Sequence, residues 1–394
     1  MLRSVQTAYR SLPPVFWVLW VGTLINRLGL FVIVFLTLYL TKERGMSVEQ
    51  ATLAVSLLGL GSFTASLVGG VLTDRIGRKP TFVISMIMTS ILLLILGSLQ
   101  SDILLVTLPF VLGLFMDLYR PAMSALIADV VPEKDRVRAF SYLYWAMNLG
   151  AAVAPVVAGF ASQIGYPVLF IGDAITTMLF GLLVLWKIPE TRPVEAAALS
   201  RVVNPMGQLR IALKDRQLVF LTLISFGLGF MMFQTYSALP LDMNTHGLSD
   251  VDYGFATSIN GALIVLLSLP AAAWAHRQSR YHVLALAGVL WAVGFGMYGL
   301  ASTTLGFMLA TSVWTLGEML SSPVGNALIS EIAPPESRGA YNGVAGMAWG
   351  LSSGVGPAVG GIIFARGGGG LLWVVCLGVG LTVAAGYWTL GRRA

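Results

Sequence analysis

The sequence predicts an all-α polytopic membrane protein, a bundle of twelve transmembrane helices in two related halves. Three observations carry this. Of the 394 residues, 56% are hydrophobic and 11% charged, against roughly a quarter charged in ordinary soluble domains. Twelve apolar runs each reach the roughly 20 residues needed to cross the hydrocarbon core. A self-similarity at a shift of 202 residues relates the first six runs to the last six.

In order, the runs lie near 14–40, 47–72, 80–100, 103–130, 136–162, 166–188, 216–241, 250–275, 282–301, 304–331, 338–364 and 370–391. They are apolar all round and longer than the alternating segments of membrane strands. The start of the chain is basic, but the apolar run after it is too long for a cleavable leader. The only long polar stretch, 189–215, divides the chain into an N-terminal six-helix bundle (1–188), a cytoplasmic linker and a C-terminal six-helix bundle (216–394). A single cysteine, Cys376, excludes an internal disulfide. It reads as a packing residue.

The net charge of +6 reflects topology. Of the 24 lysines and arginines, nineteen fall on the side that holds both termini, and only Lys42, Arg44 and Arg366 on the other. Basic loops stay in the cytoplasm, so both termini are expected there, in a multi-pass protein of the inner membrane. Nucleic-acid binding is a poor explanation of the basic excess.

The repeat is clearest around the fourth and fifth runs. Pro121 lies over Pro323, Asp129 over Glu331, Pro132 over Pro334, Arg136 over Arg338, and Pro155 over Pro357. Gly70-Val-Leu-Thr-Asp74-Arg75-Ile-Gly77-Arg78-Lys79-Pro80 connects runs two and three. It resembles G-x-L-x-D-R-x-G-R-[KR], the loop that marks the major facilitator superfamily of transporters. The resemblance implies two parallel six-helix bundles with the substrate site at the midplane between them. It implies a conformational latch at this loop, built from Gly70, Asp74, Arg75, Gly77, Arg78 and Lys79. Asp74 is expected to stabilise a neighbouring helix N-terminus or to bind Arg136 or Arg138, and the basic residues to hold acids such as Asp129 or lipid phosphates. Gly70 and Gly77 are expected to allow close approach. The C-terminal copy of the loop has His276 in place of the acid and Ser279 in place of Gly77, which predicts a one-sided latch.

Gly350-Leu-Ser-Ser-Gly-Val-Gly356-Pro357 in the eleventh run resembles the Gly-Pro signature that antiporters of this superfamily usually carry in the fifth helix. Here the fifth run has Ala154-Pro155 instead. Pro121, Pro155, Gly356 and Pro357 are read as helix-bending positions, since proline removes one backbone hydrogen bond.

Ionisable groups at bilayer depth mark functional sites by default. Arg27 follows Asn26 in the first run, Asp117 and Arg120 share a face of the fourth, and Glu318 lies mid-depth in the tenth. Asp173 reads as shallower. Glu318 has no basic neighbour on its own helix. A carboxyl group in that position suits proton uptake and release, and it is read as the protonation site. Asn26, Arg27, Tyr39, Asp117 and Arg120 would shape a polar cavity around it. A self-neutralising Asp117–Arg120 pair is the structural alternative.

The first run resembles drug/proton antiporters and, more loosely, proton-coupled peptide transporters, which usually have Glu where this chain has Asn26. Pro109 stands where many antiporters carry an arginine. The Met- and aromatic-rich runs suit adaptable binding.

The resemblance therefore implies proton-coupled efflux of small apolar or amphipathic compounds, by a monomer that uses a proton gradient and no cofactor. A symporter importing a polar metabolite or peptide is the alternative, and a non-transporting receptor a further one. No enzyme is expected. Gly294-Phe-Gly296-Met-Tyr-Gly299 and Gly350-Leu-Ser352-Ser-Gly354 match nucleotide-binding and hydrolase patterns, yet neither sits on the strand–turn–helix unit those patterns need. His246, His276 and His282 are scattered and form no metal cluster.

Overall fold

The computed structural model describes residues 12–192, 205–334 and 337–392, and among these the regular structure is entirely helical. Residues 193–204 of the 189–215 linker and the side chain of Arg338 lie outside the described residues. So do Arg3, Arg10, Arg201 and Arg393 of the basic set.

The first run is broken. Helix α1 (Pro14–Leu28) starts on a proline, whose missing N–H costs nothing there, and stops before Gly29. The chain resumes as α2 (Val32–Leu38) and ends in a π-helical turn, Tyr39–Glu43. The break frees backbone amides inside the bundle. The Val32 amide is taken up by the buried Asp173 carboxylate at 3.2 Å. Asp173 is only 1% exposed and is enclosed among the helices.

Helices α3 (Val48–Ile76), α4 (Arg78–Ser98), α5 (Asp102–Val130), α6 (Glu133–Ser162) and α7 (Tyr166–Lys187) complete the first half. Helix α8 (Pro205–Lys214) lies within the linker stretch, and the second half holds α9 (Arg216–Ser237), α10 (Leu239–Thr245), α11 (Asp250–Ala275), α12 (Arg280–Tyr298), α13 (Thr304–Ile332) and α14 (Arg338–Gly391). Gly368, at φ 65° and ψ −169°, breaks α14 into two helices. Ten helices among the described residues are long and apolar enough to cross a membrane, with both parts of α14 counted as one. The seventh run stops at Ser237, short of its expected end. Pro240 cannot bond back to the Tyr236 carbonyl, and that oxygen accepts instead from Thr37 Oγ1 of the other half at 3.0 Å.

The 202-residue repeat reappears in local chemistry. Ser47 and Gln50 form a capping box at the start of α3, and Ser249 and Asp252 form one at the start of α11. Arg78 pairs with Asp129, and Arg280 pairs with Glu331. Each pair of counterparts is 202 residues apart.

Within the first half, α5 packs on α3 and α4, α4 on α7, and α1 on α6 and α7. In the second, α9 packs on α14, α12 on α13 and α14, and α11 on α13. The halves meet where α6 lies on α11 and α3 on α14. Small residues permit this, because helices in lipid associate by close packing more than by a hydrophobic drive. Gly59 abuts the Ser353 carbonyl, Gly361 abuts Thr52, and Gly254 and Gly261 abut the α6 backbone at Pro155 and Ala152.

These contacts lie toward the end away from the termini. There Asp250 of α11 accepts from Lys42 Nζ and Tyr166 Oη, both at 2.7 Å. The Tyr253 hydroxyl is shared between the Thr235 and Val34 carbonyls, at 2.9 and 3.2 Å. Near the middle, Gly350 meets Phe63. Two turns nearer the termini on the same faces, Gly343 and Gly70 meet nothing. The halves are therefore sealed at the far end and part toward the termini, leaving a cleft.

Candidate functional site

Asn26, Arg27, Asp117 and Arg120 line one pocket, together with Thr89, Tyr119 and Thr177. Arg27 reaches it from the last turn of α1, where the helix break at Gly29 leaves its backbone beside Gly150 of α6. Its Nη2 donates to Tyr119 Oη at 2.7 Å, so Tyr119, and not Asp117, is its direct partner. Arg120 Nε donates to Asp117 Oδ1 at 2.5 Å. Arg120 is exposed on the cleft side of this pair and Asp117 is half-buried, so the pair is partly solvated and nearly neutral as a unit. Pro121 sits directly after it and removes the amide that would bond the Asp117 carbonyl.

The pocket continues into a buried relay. Asn26 Nδ2 donates to Thr177 Oγ1 at 2.9 Å, and Thr177 Oγ1 reaches Asp173 Oδ1 at 3.4 Å. Asp173 holds the start of α2, so the polar chain couples the pocket to the break in the first helix.

Glu318 stands apart from this pocket, on α13 in the other half. It has a partner that charge counting overlooked: Asn260 Nδ2 of α11 donates to Glu318 Oε2 at 2.7 Å and to Thr315 Oγ1 at 3.1 Å. No cation lies within ion-pair distance of Glu318 among the described residues. Tyr144 of α6 and Tyr236 of α9 lie within electrostatic range of it, and Tyr236 is within range of Arg27 as well. Tyr236 therefore stands between the acid of one half and the base of the other. A search for lone amides in the spans, as well as charges, would have found Asn260.

Tyr39 is not a cavity residue. It is 3% exposed and packs edge-on against Phe170 and beside Tyr166, with ring centroids at 4.8 and 5.8 Å. The π-helical turn carries it into the sealed far end.

The 70–80 loop makes the expected Arg78–Asp129 contact but differs from expectation around Asp74 and Gly70. Gly77 has φ 111°, a conformation that favours glycine, and lets the chain turn directly from α3 into α4. Glu190, just after α7, places its carboxylate over this turn. It accepts from the Arg78 and Lys79 amides, each at 3.0 Å, as an acid at a helix N-terminus should. Arg192 Nη1 donates to the Arg75 carbonyl at 2.9 Å, and Thr191 Oγ1 donates to Asp129 at 2.7 Å. Arg78 Nε reaches Asp129 at 3.2 Å. Asp74 touches neither Arg136 nor Arg138. Its side chain is 78% exposed, and among the described residues its ion-pair partner is Arg78 at 3.7 Å. Arg136 donates to the Ala128 and Val131 carbonyls, and Arg138 to the Tyr142 hydroxyl. Gly70 faces open space, so its close approach is not made with the cleft open.

The bending positions serve contacts between helices. Helices α5, α6 and α14 run through Pro121, Pro155 and Pro357. The Gly356 carbonyl accepts from Gln234 Nε2 at 2.9 Å.

Comparison with known proteins agrees with this architecture. The sequence model of the Major Facilitator Superfamily matches residues 19–249 and 235–394. A Na(+), Li(+), K(+)/H(+) antiporter of Planococcus maritimus is 26% identical over 82% of this chain and 83% of its own. The multidrug resistance protein MdtH of Salmonella paratyphi B is 25% identical over 90% and 85%. Among solved structures, a POT family transporter in complex with 5-aminolevulinic acid superposes with a TM-score of 0.83 at 14% identity, over 97% of this chain and 96% of that one. A D-xylose–proton symporter gives 0.75 at 19%, over 95% and 96%.

Proposed function

Given that the chain belongs to the major facilitator superfamily, we propose that it is a secondary active transporter that exports small apolar or amphipathic compounds in exchange for protons. The observation that carries this reading is Glu318: a carboxylate inside the second half, within electrostatic range of Tyr144 of the first, held by the neutral amide of Asn260 and free of any ion pair among the described residues. An ionised carboxylate only accepts hydrogen bonds, and a protonated one also donates. Proton binding therefore changes what Glu318 asks of Asn260 and of anything in the cleft. The multidrug and cation/proton antiporter relatives support export.

In this reading the halves are residues 1–188 and 216–394, joined by a cytoplasmic linker at 189–215. The protein works as a monomer in the cytoplasmic membrane and alternates between the observed cleft and one open at the far end. The termini face the cytoplasm, so the cleft loads substrate from inside. Addition of a transported compound to detergent-solubilised protein in weak buffer is expected to release protons, because substrate and proton compete for the cleft. Proton uptake would favour the second reading, a symporter for a polar metabolite. The polar lining of the Arg27 pocket and the fold shared with a D-xylose–proton symporter favour that alternative.

The 70–80 loop is the latch for the opposite state. With the cleft open, Asp74 is solvated and Gly70 is uncovered; closing at the termini would bring both against the second half. The C-terminal copy has His276 instead of the acid. Asp74→Asn is therefore expected to raise the cleft-open population about threefold to tenfold, in line with loss of one solvent-exposed hydrogen bond of ordinary strength, and His276→Asn to change it little. Distances between spin labels across the termini end read this directly, and equal effects would refute the asymmetry.

A further inference from the structure

We infer that the pocket around Arg27 holds the carboxylate, or another planar oxyanion, of an amphipathic substrate. The inference rests on reading the cleft as a substrate path, and it names the substrate class that path takes.

Two buried donors on residues that line this pocket have no hydrogen-bond partner among the described residues. Arg27 commits its Nη2 to Tyr119, but its Nε is buried and has no partner among the described residues. Thr89, on α4, is 2% exposed, and its hydroxyl is also unpartnered. Both residues line the same pocket. Buried polar groups in native structures are nearly always satisfied, so two orphan donors on one pocket point to an acceptor that occupies it in use.

The local carboxylates do not fill that role. Asp117 is committed to Arg120. Asp173, which is within electrostatic range of Arg27, is turned to the Val32 amide and Thr177. The guanidinium edge suits a planar oxyanion. Leu30, Ile33 and Met116 supply apolar wall beside it, which suits a hydrocarbon or aryl tail.

The test is calorimetric titration of detergent-solubilised protein, without a pH gradient, using 4-phenylbutyrate, its primary amide and 4-phenylbutylammonium. The carboxylate is expected to bind about tenfold or more tighter than the amide, the factor typical of a charge-assisted hydrogen bond, and the ammonium not to bind. Arg27→Gln should lower the affinity for the carboxylate about tenfold and that for the amide clearly less, and Arg27→Lys should keep only part of the preference. Thr89→Val, nearly isosteric, should lower carboxylate affinity about threefold or more and decides the matter if Arg27 variants fail to fold. The inference is overturned if Arg27→Gln weakens carboxylate and amide equally, if Thr89→Val leaves carboxylate affinity unchanged, if the ammonium binds more tightly, or if none of the three binds, which would leave water as the occupant. Proton coupling through Glu318 is judged by gradient-driven transport, so either idea can fail alone.

Discussion

Glu318→Gln is expected to lower transport driven by a pH gradient in proteoliposomes by at least about tenfold, and to flatten the pH dependence of substrate binding. The substitution keeps the shape of the side chain and its ability to accept from Asn260, but it cannot gain or lose a proton. Any free energy drawn from the gradient through this carboxyl group is lost with it. The surrounding geometry makes the argument specific. Asn260 donates to both Glu318 and Thr315, and Thr315 Oγ1 is itself committed as a donor to the Thr311 carbonyl at 2.7 Å. When Glu318 carries a proton, its hydroxyl needs an acceptor. Rotation of the Asn260 amide, which would present its oxygen, meets that need without moving a helix. Asn260→Leu should therefore impair gradient-driven transport as well. Gradient-driven transport by Glu318→Gln at the rate of the unaltered protein would remove Glu318 from the coupling mechanism.

A valine at Gly59 is expected to push the protein out of the observed state and reduce turnover roughly tenfold or more. A Cβ at Gly59 would collide with the Ser353 carbonyl oxygen across the interface of the halves. Backbone cannot swing aside as a side chain can, and close-packed interfaces transmit such strain. Helices α3 and α14 would have to separate at the far end, weakening the Lys42–Asp250 and Tyr166–Asp250 contacts beyond it. Gly70→Val is the internal control. Gly70 lies on α3 but faces the open part of the cleft, so a side chain there obstructs closure at the termini end instead. Spin labels at Ile164 and Leu300, exposed at the far end of opposite halves, should report a longer distance for Gly59→Val and no lengthening for Gly70→Val. The one cysteine, Cys376, is buried and should not compete for label. Shifts of the same sign in both variants would refute the rocking geometry.

The helices themselves, their order and the repeat were legible in the residues, because a membrane demands long apolar runs and satisfied backbone hydrogen bonds. Ser47 and Ser249, or Arg78 and Arg280, are local signals that any copy of the unit must keep. The sequence also singled out Arg27, Asp117, Arg120 and Glu318, since a charge in an apolar run stands out without any knowledge of its neighbours. The Asp117–Arg120 pair was legible too, as the structural alternative, whereas the partners of Arg27 and Glu318 were missed. Tyr119 lies beside Arg120 in the chain yet bonds Arg27, 92 residues away. Glu190 looked like the start of a linker but caps the helix that opens at Arg78.

What the sequence alone determined is therefore the membrane class, the twofold plan and the positions of the costly charges. Each follows from the free energy of placing a residue in lipid, which depends on that residue and its few neighbours along the chain. Tertiary structure decided the rest: the break in the first helix beneath Asp173, the Asn260–Glu318 contact, the burial of Tyr39 and the end at which the halves part. These depend on which helix faces come together. In lipid that choice is made by small-residue packing and hydrogen bonds between distant segments, and the pattern along one helix does not record the face of another.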